Sequence, residues 1–305
     1  MSASHLVTIG MQFFNNERSL ARAIRSVLAQ THSNWELILH DDGSTDRSGE
    51  IADSFTDSRI VRVADRHNLG RAARLNQCLR RARGEYFAVT DADDVLHPER
   101  IERQLAALRS RPEVDLLGTG MVTLNADGTL GGKLVFPELH AEICRQPEFG
   151  ILMAHPTVMG RTTWFRTYWY DERFRRAQDQ DLLLRSCATS VFANLTDTLV
   201  AYNTSESTIW KTLRTRYWHC RSIATRRLAP RSFLRGLLGI GREILKAAVD
   251  ILLQSTGVRA VVKTRSSTEF VESEKEAWRG ILAATSSNDC MRSATEGDTC
   301  QHSAS

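Results

Sequence analysis

Tyr86-Phe87-Ala88-Val89-Thr90-Asp91-Ala92-Asp93-Asp94 runs from an apolar stretch straight into three carboxylates. The apolar half suits a strand buried on both faces. The acidic half suits a hard cation, because Mg²⁺ and Mn²⁺ take oxygen ligands and usually combine one or two carboxylates with substrate phosphates. The outer pair, Asp91 and Asp93, can face one cleft. An isolated Asp-x-Asp is common in solvated loops, so its surroundings decide its meaning.

Working back toward the N-terminus, the pattern repeats. Leu6 to Phe14 is an apolar run ending at Asn15-Asn16-Glu17, followed by helical spacing of Leu20, Ile24, Val27 and Leu28. Trp35 to Leu39 is a second strand, ending at Asp41-Asp42-Gly43-Ser44-Thr45-Asp46. There Ser44 or Thr45 is expected to cap a helix over Arg47 to Phe55, with Asp46 favouring the helix dipole. Ile60 to Val63 is a third strand, Asn68-Leu69-Gly70 a turn, and Arg71 to Ala82 a helix. Strands alternating with helices imply βαβ units and a mostly parallel sheet. Ligands of such sheets lie beyond the carboxyl ends of the strands, and all three polar clusters fall there.

Downstream, Pro98 to Ser110 reads as a helix, Asp115 to Leu124 as a strand, and Asn125 to Gly128 as a hairpin turn. A less regular stretch reaches Phe174. A helix starts near Asp179, which doubles as a candidate N-cap, and Phe192 to Tyr202 is a last strand.

The composition is that of an ordinary globular protein, 42% hydrophobic and 25% charged over 305 residues. The net charge of +4 is too mild to imply nucleic-acid binding, but its distribution is uneven. Thirteen Lys/Arg lie between Lys211 and Arg265 against only Glu243 and Asp250, a local charge of +11. Within that stretch Arg242 to Gln254 reads as one amphipathic helix. An anionic membrane surface suits residues 211–265, with a solvated face or packing on the catalytic domain as alternatives. No motif or aromatic platform supports nucleic acid. The six cysteines include no C-x-x-C pair, the N-terminus shows no signal-peptide pattern, and no apolar run reaches the ~20 residues of a membrane span. The expectation is a cytoplasmic protein able to sit peripherally on the inner face of the cell membrane. Beyond Ala284 the polar composition implies disorder.

Gly10 to Glu17, His40 to Asp46, Asn68-Leu69-Gly70, Ala82 to Tyr86 and Asp91-Ala92-Asp93-Asp94 occur in that order, followed by Ala177-Gln178-Asp179-Gln180-Asp181-Leu182-Leu183-Leu184-Arg185. Together they resemble a family 2 glycosyltransferase of the GT-A fold, over residues 5 to 205. The resemblance implies an α/β fold with a mostly parallel mixed sheet flanked by helices. It implies a catalytic domain at 1–205; the composition adds a basic helical extension at 206–284 and a disordered tail at 285–305. It further implies an inverting enzyme that uses Mn²⁺ or Mg²⁺ and moves a sugar from a nucleotide-sugar, UDP-linked by preference, to a glycan or lipid-linked acceptor. Gln12, Phe14, Glu17, Asp42 and Asp91 would contact the nucleotide, Asp91 and Asp93 the metal, and Asp179 would be the catalytic base. Gln12 and Phe14 depart from the family's usual proline and tyrosine, and Gln178 from a frequent glutamate. A nucleotidyltransferase is disfavoured, because the first strand end carries no glycine-rich phosphate loop. An inactive binding module is disfavoured by the intact Asp91, Asp93 and Asp179.

Overall fold

The computed structural model describes residues 5–125, 127–204, 209–225, 230–255 and 270–286. In chain order the elements are β1 (Val7–Phe13), α1 (Leu20–Leu28), β2 (Trp35–Asp41), α2 (Ser48–Asp53), β3 (Ile60–Ala64), α3 (Arg71–Arg81), β4 (Tyr86–Asp91), β5 (Val95–Leu96) and α4 (Arg100–Ser110). There follow β6 (Leu116–Leu124), β7 (Leu130–Leu134), α5 (His140–Ile143), β8 (Met159–Arg161), α6 (Thr162–Tyr168), α7 (Gln178–Ser186), β9 (Phe192–Asn203), α8 (Ile209–Ala224), α9 (Pro230–Ser255) and α10 (Glu272–Ser286). Among the described residues nine strands form one sheet, ordered β3-β2-β1-β4-β8-β6-β9-β5, with β7 on β6. The first half, β3 to β4, is parallel, as the alternation implied. Three-residue β8 enters antiparallel between β4 and β6 and makes the sheet mixed.

The two faces sort by the period of 2. On β1, Val7, Ile9, Met11 and Phe13 point into a core shared with Leu20, Ile24 and Val27 of α1 and Ile101, Leu105 and Leu108 of α4. On β4, Phe87 and Val89 point the other way, against Leu75 and Leu79 of α3 and Phe165 of α6. Helices therefore cover both faces, which is why β1, β2 and β4 read as nearly unbroken apolar runs. Trp278 of α10 closes a third cluster with Val95, Val122 and Ala201.

Two local expectations need correction. Ser44 and Thr45 do not cap α2, whose N-cap position is Arg47; Asp46 lies just before it, its carboxylate accepting from Ser48 N at 3.0 Å. Ser44 and Asn15 instead stitch the first two strand-end loops together, through Asn15 N to Ser44 Oγ and Thr45 N to Asn15 Oδ1. The amphipathic helix expected over Arg242 to Gln254 is longer, because α9 begins at Pro230. Cys78, Cys144, Cys187 and Cys220 are free thiols. The expected disorder beyond Ala284 falls largely on residues 287–305, outside the described part.

Candidate functional site

A cleft of about 1080 Å³ lies beyond the carboxyl ends of β1, β4 and β9. Gln12 reaches it from the end of β1, directly opposite Asp91 in the β1/β4 register. Asp91 and Asp93 enter from the end of β4, and Tyr202 and Asn203 from the end of β9. Asp179 enters from the first turn of α7. The structure thus brings Gln12, Asp91, Asp93 and Asp179 to one cavity.

Phe14, Glu17 and Asp42 stand apart from its lining. Phe14 is 42% exposed at the edge of β1. Glu17 accepts from Arg47 N at 3.3 Å. Asp42 is buried, and its carboxylate accepts from Leu69 N at 2.8 Å, Gly70 N at 3.0 Å and Arg74 Nε at 2.7 Å. A glycine is needed at position 70, where φ is +89°. Asp42 therefore fixes the turn that launches α3.

That launch delivers Arg71, one arginine among many and part of no motif. Arg71 Nη2 donates to Asp91 Oδ1 and to His155 Nδ1, the latter at 3.2 Å. A guanidinium only donates, so His155 accepts at Nδ1, and its Nε2–H reaches Tyr170 Oη at 2.9 Å. Burial and the Arg71 charge hold the His155 imidazole well below its ordinary pKa, so it is neutral. Burial pushes Tyr202 up to about 12.

Asp179 sits two residues after Ala177, whose φ of +55° is uncommon for a residue with a Cβ. That turn starts α7 at the cleft wall. Burial raises the Asp179 carboxyl above the ordinary carboxylate range, opposed by the charge of Arg71 and the amide of Gln180. Asp181 is tied down instead, to Arg185 at 2.9 Å and to Ser222 Oγ of α8 at 3.0 Å.

Among the described residues no group of three or more His, Cys, Asp and Glu side chains is placed to hold a metal ion. Two carboxylates are what a cation arriving with a diphosphate requires. Asp94 lies beside Asp91 and Asp93. It is 1% exposed, with Oδ1 taken by Asn203 N and Oδ2 without a partner. Burial and the neighbouring Asp91 and Asp93 push its pKa upward, with Arg71 opposing. Asp91 and Asp93 are oxygen donors of the kind that Mg²⁺ or Mn²⁺ takes.

The roof of the cleft comes from the basic stretch. Lys211 and Arg216 of α8 and Arg242, Glu243 and Lys246 of α9 line it. Glu243 accepts from Arg216 at 2.6 Å and from Lys246 at 2.7 Å. Arg242 stacks over Phe149, with 5.0 Å from its guanidinium carbon to the ring centroid. The charge run is therefore partly inward, a placement that periodicity alone does not give.

Residues 8–181 match the model of the glycosyl transferase family 2. The chain belongs to that family. It is 37% identical to Bacillus subtilis EpsE over 196 residues, 61% of this chain and 68% of EpsE. It is 32% identical over 134 residues to Escherichia coli WfgD, a UDP-Glc:alpha-D-GlcNAc-diphosphoundecaprenol beta-1,3-glucosyltransferase, covering 44% of this chain and 52% of WfgD. Among solved structures, residues 1–349 of S. aureus TarS with UDP-GlcNAc superpose with a TM-score of 0.62 at 18% identity, over 92% of this chain and 80% of that one. Pyrobaculum calidifontis PcManGT with GDP-Man and Mn²⁺ gives 0.55 at 15% identity, over 93% and 86%. The fold is GT-A, and this family 2 member is a transferase.

Proposed function

We propose that this family 2 enzyme transfers a glycosyl unit from a nucleoside-diphosphate sugar, UDP-linked by preference, to a hydroxyl of a glycan or lipid-linked acceptor, with inversion. The observation that carries the proposal is the convergence of Asp91 and Asp93 with Asp179, from distant segments, on one cleft. The nucleotide lies along the ends of β1 and β4. Phe14 and the turn held by Asp42 form the ledge for the base, with Gln12, Glu17 and Asp91 beside it. Asp91 and Asp93 would hold a divalent cation, which would supply positive charge to the leaving diphosphate.

Asp179 takes the proton from the acceptor hydroxyl. The acceptor oxygen then attacks the anomeric carbon from the face opposite the diphosphate. The bond from that carbon to the phosphate oxygen breaks, and nucleoside diphosphate leaves. A raised carboxyl pKa suits a base that works near neutrality. Arg71, already paired with Asp91, adds positive charge where the leaving group accumulates negative charge. Helices α8 and α9 complete the acceptor side, with Lys211, Arg216, Arg242 and Lys246 favouring an acceptor that carries anionic groups.

A panel of nucleotide-sugars with Mn²⁺ or Mg²⁺, read by nucleoside diphosphate release, tests this. Turnover of one sugar class with either ion supports it. No turnover of any, with lipid-linked and soluble glycan acceptors supplied, contradicts it.

A further inference from the structure

Helix α9 is inverted with respect to an ordinary surface helix. Gly236, Gly239 and Glu243 are buried against the body of the protein, with Lys246 and Ala247 half-buried beside them. Leu237, Leu238, Ile244, Leu245, Val249 and Ile251 face out, each between 44% and 66% exposed. At 3.6 residues per turn these six fall on one continuous stripe. A surface helix normally buries its apolar stripe and shows its polar one. Here the polar side roofs the cleft through Glu243 and Lys246, and the apolar side is left outside.

The inversion is built in. A Cβ at Gly239 would lie 2.7 Å from Glu148 O, so the buried side of α9 packs backbone to backbone on the turn that precedes Phe149. That leaves little freedom for the helix to roll its apolar stripe inward. Arg235 is exposed beside the stripe. On α8, Trp210, Arg214, Tyr217 and Arg221 are all exposed and share one face at helical spacing, with Trp210 73% and Tyr217 61% accessible. Tryptophan, tyrosine and arginine, each an apolar body with a polar tip, are the side chains of a membrane–water interface.

No described helix is long and apolar enough to cross a membrane. A patch of six large aliphatic side chains on one helix is a docking surface. The exposed arginines of α8 and α9, Arg214, Arg221 and Arg235, make its complement anionic. We propose that α9 lies flat in an anionic lipid surface, its aliphatic stripe at the acyl boundary and the neighbouring arginines among the phosphates. The opposite side of the same helix walls the cleft, so seating α9 brings the cleft beside the lipid headgroups. The binding itself does not depend on the glycosyl-transfer reading.

The test is flotation of the full chain with vesicles of phosphatidylcholine, alone or mixed with phosphatidylglycerol, against Leu238→Glu and Leu245→Glu. The chain is expected to float with the anionic vesicles only, and less so as salt rises. Each substitution should weaken partitioning about tenfold or more, because burying one leucine is worth at least a decade in affinity. Both sites are exposed, so the melting temperature should not move, and melting checks that the variants are folded. Failure of the wild type to float overturns the proposal, as does flotation of the variants at the wild-type level. Sedimentation velocity supplies a third outcome. A dimer that Leu245→Glu dissolves would assign the stripe to a second copy of the chain and overturn the lipid assignment.

Discussion

Replacing Asp42 with alanine separates the structural work of this residue from any contact with the base. Asp42 and Arg74 have side chains 3% and 0% exposed, so solvent screens their attraction little. The substitution removes the acceptor for Arg74 Nε and for the amides of Leu69 and Gly70. Arg74 keeps Asp65 at 2.9 Å and Gln77 at 2.8 Å, so its charge is not wholly orphaned. Breaking a buried pair by removing one partner costs about 3–5 kcal/mol, and the surviving partners place this case near about 3 kcal/mol. At about 2 °C per kcal/mol for a chain of this size, the melting temperature should fall by about 6 °C. Asp42→Asn keeps an acceptor oxygen for the two amides and should lose about half as much. The assay is thermal unfolding by circular dichroism, paired with UDP binding by calorimetry. A shift under about 1 °C with Asp42→Ala would refute the reasoning, since no exposed carboxylate would cost more.

Other outcomes follow from the same geometry. The acid limb of kcat at saturating donor should lie above the ordinary carboxylate range, because burial raises Asp179 and the base works only when deprotonated. Arg71→Met removes the cation that opposes this rise, so the limb should move further up; a limb that stays or falls would contradict the assignment. Thr8→Val removes the hydroxyl that donates to Glu36 at 2.6 Å and accepts from Gly84 N at 2.8 Å, inside the core. A cost of about 2 kcal/mol in chemical denaturation is expected, and a cost near zero would mean that the site relaxes freely. Gly239→Val should raise the acceptor KM more than the donor KM, because it pushes α9 off the Glu148 carbonyl. Equal effects on both would place α9 away from the acceptor.

The strand-end clusters were legible because burial on both faces of a parallel sheet leaves a mark: apolar runs such as Leu37 to Leu39 and Phe87 to Val89, each broken by acids. What was lost depends on long-range packing. Strand β8 is three residues long and has no period to detect, yet it joins the two halves of the sheet. Arg71 looks like any other arginine until Asp42 fixes the turn before it. The amphipathic pattern of α9 was readable, but the pattern does not say which side faces the protein. Only the close approach at Gly239 decides that. Asp179 was visible through resemblance to the family, whereas its place in one cleft with Asp91 and Asp93 required the fold.

The most direct test of the central claim is Asp179→Asn, with nucleoside diphosphate release measured at saturating donor and acceptor, alongside UDP binding with Mn²⁺. Loss of a general base predicts a fall in kcat of about 10²–10⁴-fold, with UDP affinity unchanged. Retention of wild-type kcat, or a loss explained by UDP no longer binding, would contradict the assignment of Asp179 as the base.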